Sequence, residues 1–213
     1  MKQFVLFVLF SSISVSIFAQ ESILLNEDFD NNARFWEITN SKRLVATIAE
    51  GSYILKGKSD FSPNFFVQPL ELSKEQDFEM ELKITQKSGA RNMGFGLVWG
   101  AKKNQDDLFT FLISANGKYT ILRKERGQYD EIKPWTEDSE VIHKSGKPNI
   151  FLIQKEGNKV RHYLNGKLLF VSGYHPPRSQ HAGILFHGTM KIEVDYFKVS
   201  VPDPSAREAR GNH

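Results

Sequence analysis

Apolar and polar residues alternate with a period of two along most of this chain, the pattern of strands that bury one face and wet the other. Between 77 and 86, Phe78, Met80, Leu82 and Ile84 alternate with Glu79, Glu81, Lys83 and Thr85. Between 92 and 100, Met93, Phe95, Leu97 and Trp99 alternate with Gly94, Gly96 and Val98. Residues 108–114 are apolar on both faces, which predicts a central strand. Further strands are predicted at 118–124, 149–155, 159–164, 167–171, 184–186 and 190–201. Shorter ones are expected at 23–29, 35–38, 44–48 and 53–55. No helical period and no internal repeat is present.

Turn chemistry supports the same elements. Asn116-Gly117, Gly157-Asn158 and Asn165-Gly166 each separate two strand runs. Gly and Asn tolerate the positive φ that tight hairpin turns require, so an antiparallel meander is expected. About a dozen short strands without helices predict an all-β sandwich or jelly roll of two antiparallel sheets.

The first 19 residues follow a different rule. Lys2 precedes an apolar stretch broken by Ser11, Ser12, Ser14 and Ser16, and the stretch ends at Ala19. A basic start, a short apolar run and a small exit residue predict a secretory signal peptide at 1–19. A bilayer span needs roughly 20 uninterrupted apolar residues, and no stretch of the chain supplies one, so no membrane span is expected. The expected product is a secreted or periplasmic protein with one domain at 20–201 and a flexible tail at 202–213, beyond Pro202-Asp203-Pro204. The chain has no cysteine, which excludes disulfides, thiolate metal sites, a cysteine nucleophile and a lipid-modified cysteine. The net charge of +3 is spread among interleaved signs. With no basic stripe, nucleic acid is not an expected partner.

Several segments resemble concanavalin A-like (laminin G-like) jelly-roll domains of exported bacterial proteins. They are Leu25-Asn26-Glu27-Asp28-Phe29 with Phe35-Trp36, the run from Asp77 to Gly100, and Phe111 to Tyr119 with Trp135 beyond it. Asn158 to Leu168 and Ile192 to Val199 complete the pattern. The resemblance implies a concanavalin A-like sandwich whose first and last strands pair. A narrower similarity, to 3-keto-disaccharide hydrolase (family-16-like) domains, rests on the Tyr163-Leu164-Asn165-Gly166 hairpin and on Ile184-Leu185-Phe186-His187-Gly188.

The fold invites a test for glycosidase chemistry. A retaining glucanase needs two carboxylates about 5 Å apart, and its family motif is Glu-x-Asp-x-x-Glu. The near match Glu193-Val194-Asp195-Tyr196-Phe197-Lys198 carries a lysine where the acid belongs. Glu75, Asp77, Glu79 and Glu81 alternate as a solvated strand face instead. No Gly-x-Ser-x-Gly elbow exists, so no catalytic residue is assigned. His175 and His181 flank a proline-rich loop that would be an exposed loop or the rim of a groove. His187, at a strand end, would cap a turn or face a ligand.

Two binding chemistries remain. Jelly rolls often hold calcium where the first and last strands meet, which makes Asp28 and Asp195 candidate ligands of a structural calcium. The oxygens around them fit no fixed ligand spacing and suit a polar turn equally well. Sugars stack on aromatic faces and bind planar polar groups, which nominates Trp99, Tyr119, Arg123, Trp135 and His187, with Arg91 as a further candidate. Trp99 also fits the core, because it shares a face with Phe95 and Leu97. Gly94, Gly96 and Gly100 leave the opposite face bare for another backbone or a ligand. The expected function is an exported, non-catalytic binding module for a glycan or polysaccharide. The alternatives are a glycoside-processing hydrolase and a structural or adhesion domain with a protein partner.

Overall fold

The computed structural model describes residues 21–58, 63–101 and 106–202. The signal peptide expected at 1–19 and all but the first residue of the tail expected at 202–213 therefore lie outside the described residues. Within them the chain forms strands and no helix, so none is present to cross a membrane. It opens with β1 (Glu21–Glu27), β2 (Thr39–Asn40), β3 (Leu44–Ala49), β4 (Ser52–Gly57) and β5 (Pro63–Pro69). The long β6 (Phe78–Gly89) leads into a meander of β7 (Phe95–Trp99), β8 (Leu108–Ser114), β9 (Lys118–Glu125) and β10 (Gln128–Glu137). A second meander of β11 (Pro148–Glu156), β12 (Lys159–Leu164) and β13 (Lys167–Gly173) precedes β14 (His181–His187) and β15 (Met190–Pro202).

These strands make two antiparallel sheets. The larger runs β13-β12-β11-β6-β15-β4-β3-β2, with β1 added beside β15. The smaller runs β10-β9-β8-β7-β14-β5. The first and last strands pair as expected, Glu27 opposite Phe197 and Ser22 opposite Val201.

The core lies between the sheets. Phe78, Met80, Leu82 and Ile84 of β6 face it from the larger sheet, and Phe95, Leu97 and Trp99 of β7 face it from the smaller. In β15, Ile192 and Val194 point inward, and the next inward residue is Phe197, three positions on. A bulge between Val194 and Tyr196 absorbs the extra residue and restores the alternation.

The two sheets differ in their outer faces. β6 and β11 alternate buried and half-exposed positions, as wet outer faces require. Every residue of β7 is buried, as are 182–186 of β14. A second apolar cluster of Val98, Ala101, Leu108, Leu112 and Leu185, with Phe65 and Val67 against it, occupies the outward face of the smaller sheet. The two-sided apolar pattern of 108–114 has its physical reason there.

Some expectations need correction. The segment 35–38 is not a strand; Phe35 adopts φ 55 and the short β2 begins at Thr39. Neither β5 nor β10 shows in the alternation, and they are the two edges of the smaller sheet. Pro63, Pro69 and Pro134 sit in them, and proline is tolerated at edges because a central ladder needs the N–H it lacks. Of the three turn dipeptides, Asn165-Gly166 has positive φ at both positions, 50 and 83, whereas Asn116-Gly117 has it at Gly117 alone. The other such pairs are Glu50-Gly51 and Arg126-Gly127.

One of the buried ionisable side chains is a histidine. His162 of β12 is fully buried among Trp99, Phe111 and Phe170, with ring centroids at 6.0, 5.5 and 6.3 Å. Neither ring nitrogen makes a hydrogen bond of good geometry. Burial lowers its pKa to about 4, an effect the Phe170 backbone offsets only in part. The unfolded chain takes up this proton near pH 6.5, so His162 favours folding fully above that pH and progressively less as pH falls toward 4. Denaturant midpoints should show stability falling by about 2 kcal/mol from this group between pH 7 and 5, and His162→Phe should flatten that part of the profile.

Candidate functional site

The nominated residues divide among the core, the outward face of the smaller sheet and one end of the sandwich. Trp99 is 4% exposed and stacks on Phe109 with centroids 5.4 Å apart and planes at 18°. Tyr119 is also buried, and its hydroxyl donates to the Leu169 carbonyl at 3.4 Å. Both rings serve the core and offer no face to a sugar. Arg91 is exposed and donates to the Ala115 carbonyl at 3.4 Å.

Trp135 and His187 converge on Gly94. Trp135 belongs to the edge strand β10 and is 42% exposed. A Cβ at Gly94 would lie 3.2 Å from both the Trp135 indole and the Leu112 side chain. The bare glycine is thus where the indole rests, with Leu112 of the outward cluster beside it. His187 ends β14, on the same face as Leu185 by alternation. Its backbone N–H donates to the Gly94 carbonyl at 2.9 Å, and its Nδ1 lies 3.3 Å from that oxygen. Burial lowers the pKa of this imidazole, so it is neutral at pH 7 and able to accept or donate a hydrogen bond.

Arg123 stands apart, at the other end of β9. There the loop joining β13 to β14 folds against the sheet and forms one wall of a half-open cavity of about 270 Å³. Arg123, Asp107, Glu125, His175 and Arg178 are among its lining residues. The Arg178 guanidinium pairs with Glu125 at 2.6 Å and lies 3.8 Å from Asp107. Arg123 pairs with Asp130 at 2.9 Å. Nothing in the alternation of β9 marked this end as special; the cavity depends on a loop 50 residues farther along the chain.

No protein-family model matches the chain, and no curated protein matches it. Solved structures do. The catalytic domain of an endo-1,3-beta-glucanase (laminarinase) from Thermotoga petrophila superposes with a TM-score of 0.61 at 10% identity, covering 87% of this chain and 100% of that one. A Bacillus licheniformis beta-glucanase gives 0.58 at 10% identity, over 84% and 97%. A functionally unknown protein from Saccharomyces cerevisiae gives 0.54 at 11% identity, over 79% and 96%. The fold is the concanavalin A-like jelly roll. Identity this low carries architecture and not chemistry.

Within this jelly roll, the Glu193–Asp195 stretch lies on β15 of the larger sheet. Glu193 is flanked by Lys191 at 2.8 Å and Lys87 at 2.9 Å, which hold its carboxyl below the usual range. Asp195 pairs with Lys83 at 2.7 Å. A general acid needs the opposite shift, a raised pKa. The calcium expectation fits the residues poorly. Asp195 is committed to Lys83, Asp28 is exposed, and no cluster of three or more His, Cys, Asp or Glu suited to a metal exists among the described residues.

The carboxylate that organises the N-terminal strand is Glu27. It is 5% exposed and accepts from the Phe29 N–H at 2.9 Å and from the Trp36 indole N–H at 2.8 Å. This steadies Phe29 at φ 58, a left-handed conformation that costs a bulky residue energy. It also brings Phe29, Trp36 and Tyr53 into mutual contact, at 5.3–5.5 Å between centroids. Glu27→Ala leaves both donors without an acceptor. It should lower unfolding free energy by about 2–3 kcal/mol, read as a shift in denaturant midpoint.

Proposed function

We propose that this chain is an exported, non-catalytic carbohydrate-binding module. In this reading its glycan contact is the Trp135 indole, with His187 beside it on the outward face of the smaller sheet. The carrying observation is the indole itself, 42% exposed yet braced against Gly94 and Leu112. An aromatic face fixed before binding loses little conformational freedom when a pyranose stacks on it. The neutral His187 imidazole adds a group that can exchange hydrogen bonds with a hydroxyl. The beta-glucanases among the structural neighbours lend further support, since their names place glycans on this fold. Export rests on the residues at 1–19.

The test is retention on immobilised polysaccharides and a glycan array, using the chain without residues 1–19. Trp135→Ala should weaken retention about tenfold or more while leaving the thermal midpoint within a few degrees of the parent. Trp99→Ala is uninformative here because it opens the core. A folded protein that binds no glycan on the array, or a Trp135→Ala variant that binds as well as the parent, would sink this reading.

A further inference from the structure

We propose that the cavity at the end of the smaller sheet is a second ligand site, separate from Trp135, that takes one neutral sugar ring. It does not rest on glycan binding at the sheet face. Four observations lead there.

The first is the charge balance. Arg123, Lys124 and Arg178 face Asp107 and Glu125, with Asp130 paired to Arg123 beside them. Glu125 lies between two guanidinium groups, 2.6 Å from Arg178 and 3.9 Å from Arg123. Asp107 accepts the Arg126 N–H at 3.1 Å. An entering anion would meet the carboxylates and an entering cation the guanidinium groups. A hydroxyl suits both, because it donates to a carboxylate and accepts from a guanidinium.

The second is the state of the arginine. Arg123 lines the cavity with its Nε buried and its terminal nitrogens 2.9 Å from Asp130 and 3.9 Å from Glu125, so a bound hydroxyl meets a guanidinium already held in place. Third, Phe109, Pro176 and Pro177 add apolar surface to the lining, suited to the C–H face of a ring. The volume of about 270 Å³ sits just under the range for drug-sized ligands and suits a single ring.

The fourth is rigidity. The loop wall is fixed at both ends, with the Tyr174 N–H donating to the Asn158 carbonyl at 2.9 Å and the Leu70 N–H to the Gln180 carbonyl at 2.7 Å. Below Tyr174 lies the buried Lys155 ammonium, 4.8 Å from its ring centroid and 2.9 Å from Asp77. Gly100, at φ 65, lets the loop seat closely, since a Cβ there would fall 2.5 Å from Pro177. A wall held this way is formed before the ligand arrives.

The experiment is an amide-resolved NMR titration of the chain without residues 1–19. The probes are glucose, galactose, mannose, xylose and fructose, with glucuronate and glucosamine as charged counterparts. Saturable shifts are expected at Gly100, Leu108, Lys124 and Arg178 with at least one neutral sugar, and weaker binding of the charged pair. Arg178→Ala, on an exposed loop, should weaken that binding about tenfold or more with the rest of the spectrum unchanged. The same shifts should persist in Trp135→Ala, which separates this site from the sheet face. No saturable shift there with any neutral sugar, tighter binding of a charged one, or an unaltered affinity in Arg178→Ala would overturn the proposal.

Discussion

The central strands of the smaller sheet bury both of their faces, and the placement of everything else follows from that. Inward, β7, β8 and β14 contribute Phe95, Phe111 and Ile184 to the main core. Outward, they contribute Val98, Leu112 and Leu185 to a second cluster. A sheet buried twice has little room for solvated chemistry at its centre. Polar and exposed aromatic groups are displaced to its margins: Trp135 to the edge strand β10, His187 to the end of β14, and the Arg123–Arg178 group to the opposite strand ends. The larger sheet, with one wet face, instead carries ordinary ion pairs such as Lys83–Asp195 and Lys87–Glu193.

Where burial imposes a period of two, the strands were legible from the residues alone. β6, β8, β12 and β15 follow their apolar alternation or their continuous apolar run, and the pairing of β1 with β15 was expected. The β15 bulge also leaves a trace, in the three-residue step from Val194 to Phe197. What escaped were the strands that burial does not pattern. β10 is exposed along most of its length, and β5, bracketed by prolines, sends Phe66 to the main core and Phe65 and Val67 to the second cluster, so its apolar residues run together instead of alternating. The left-handed Arg126-Gly127 turn escaped as well, because arginine is not a residue that announces positive φ.

Site residues were legible only as residue types. Trp99 and Trp135 are equally good sugar platforms by chemistry, and the difference lies in whether a second sheet covers the ring. Gly94 was noticed as a bare position, but the indole that fills it comes from 41 residues away. Glu27 entered only as a member of the motif and polar cluster around Asp28, because only the fold reveals that its carboxylate reaches the Trp36 indole. The end cavity was legible only in pieces: Arg123 stood out by its chemistry and the 175–181 segment as an exposed loop or groove rim, but that these meet Asp107 depends on how the β13–β14 loop folds back.

The prolines of the smaller sheet have a consequence for life in crowded surroundings. Two free margins of β-ladder would ordinarily invite a neighbouring molecule to dock strand against strand and grow into a polymer. Pro134 interrupts one margin and Pro63 and Pro69 bracket the other, each removing a donor that such a ladder would need. The bulges that shift the β10 register between Glu131 and Thr136 distort the first margin further. A protein with no disulfide to lock its shape thereby gains protection against self-assembly from the same strands whose irregularity kept them out of the alternating pattern.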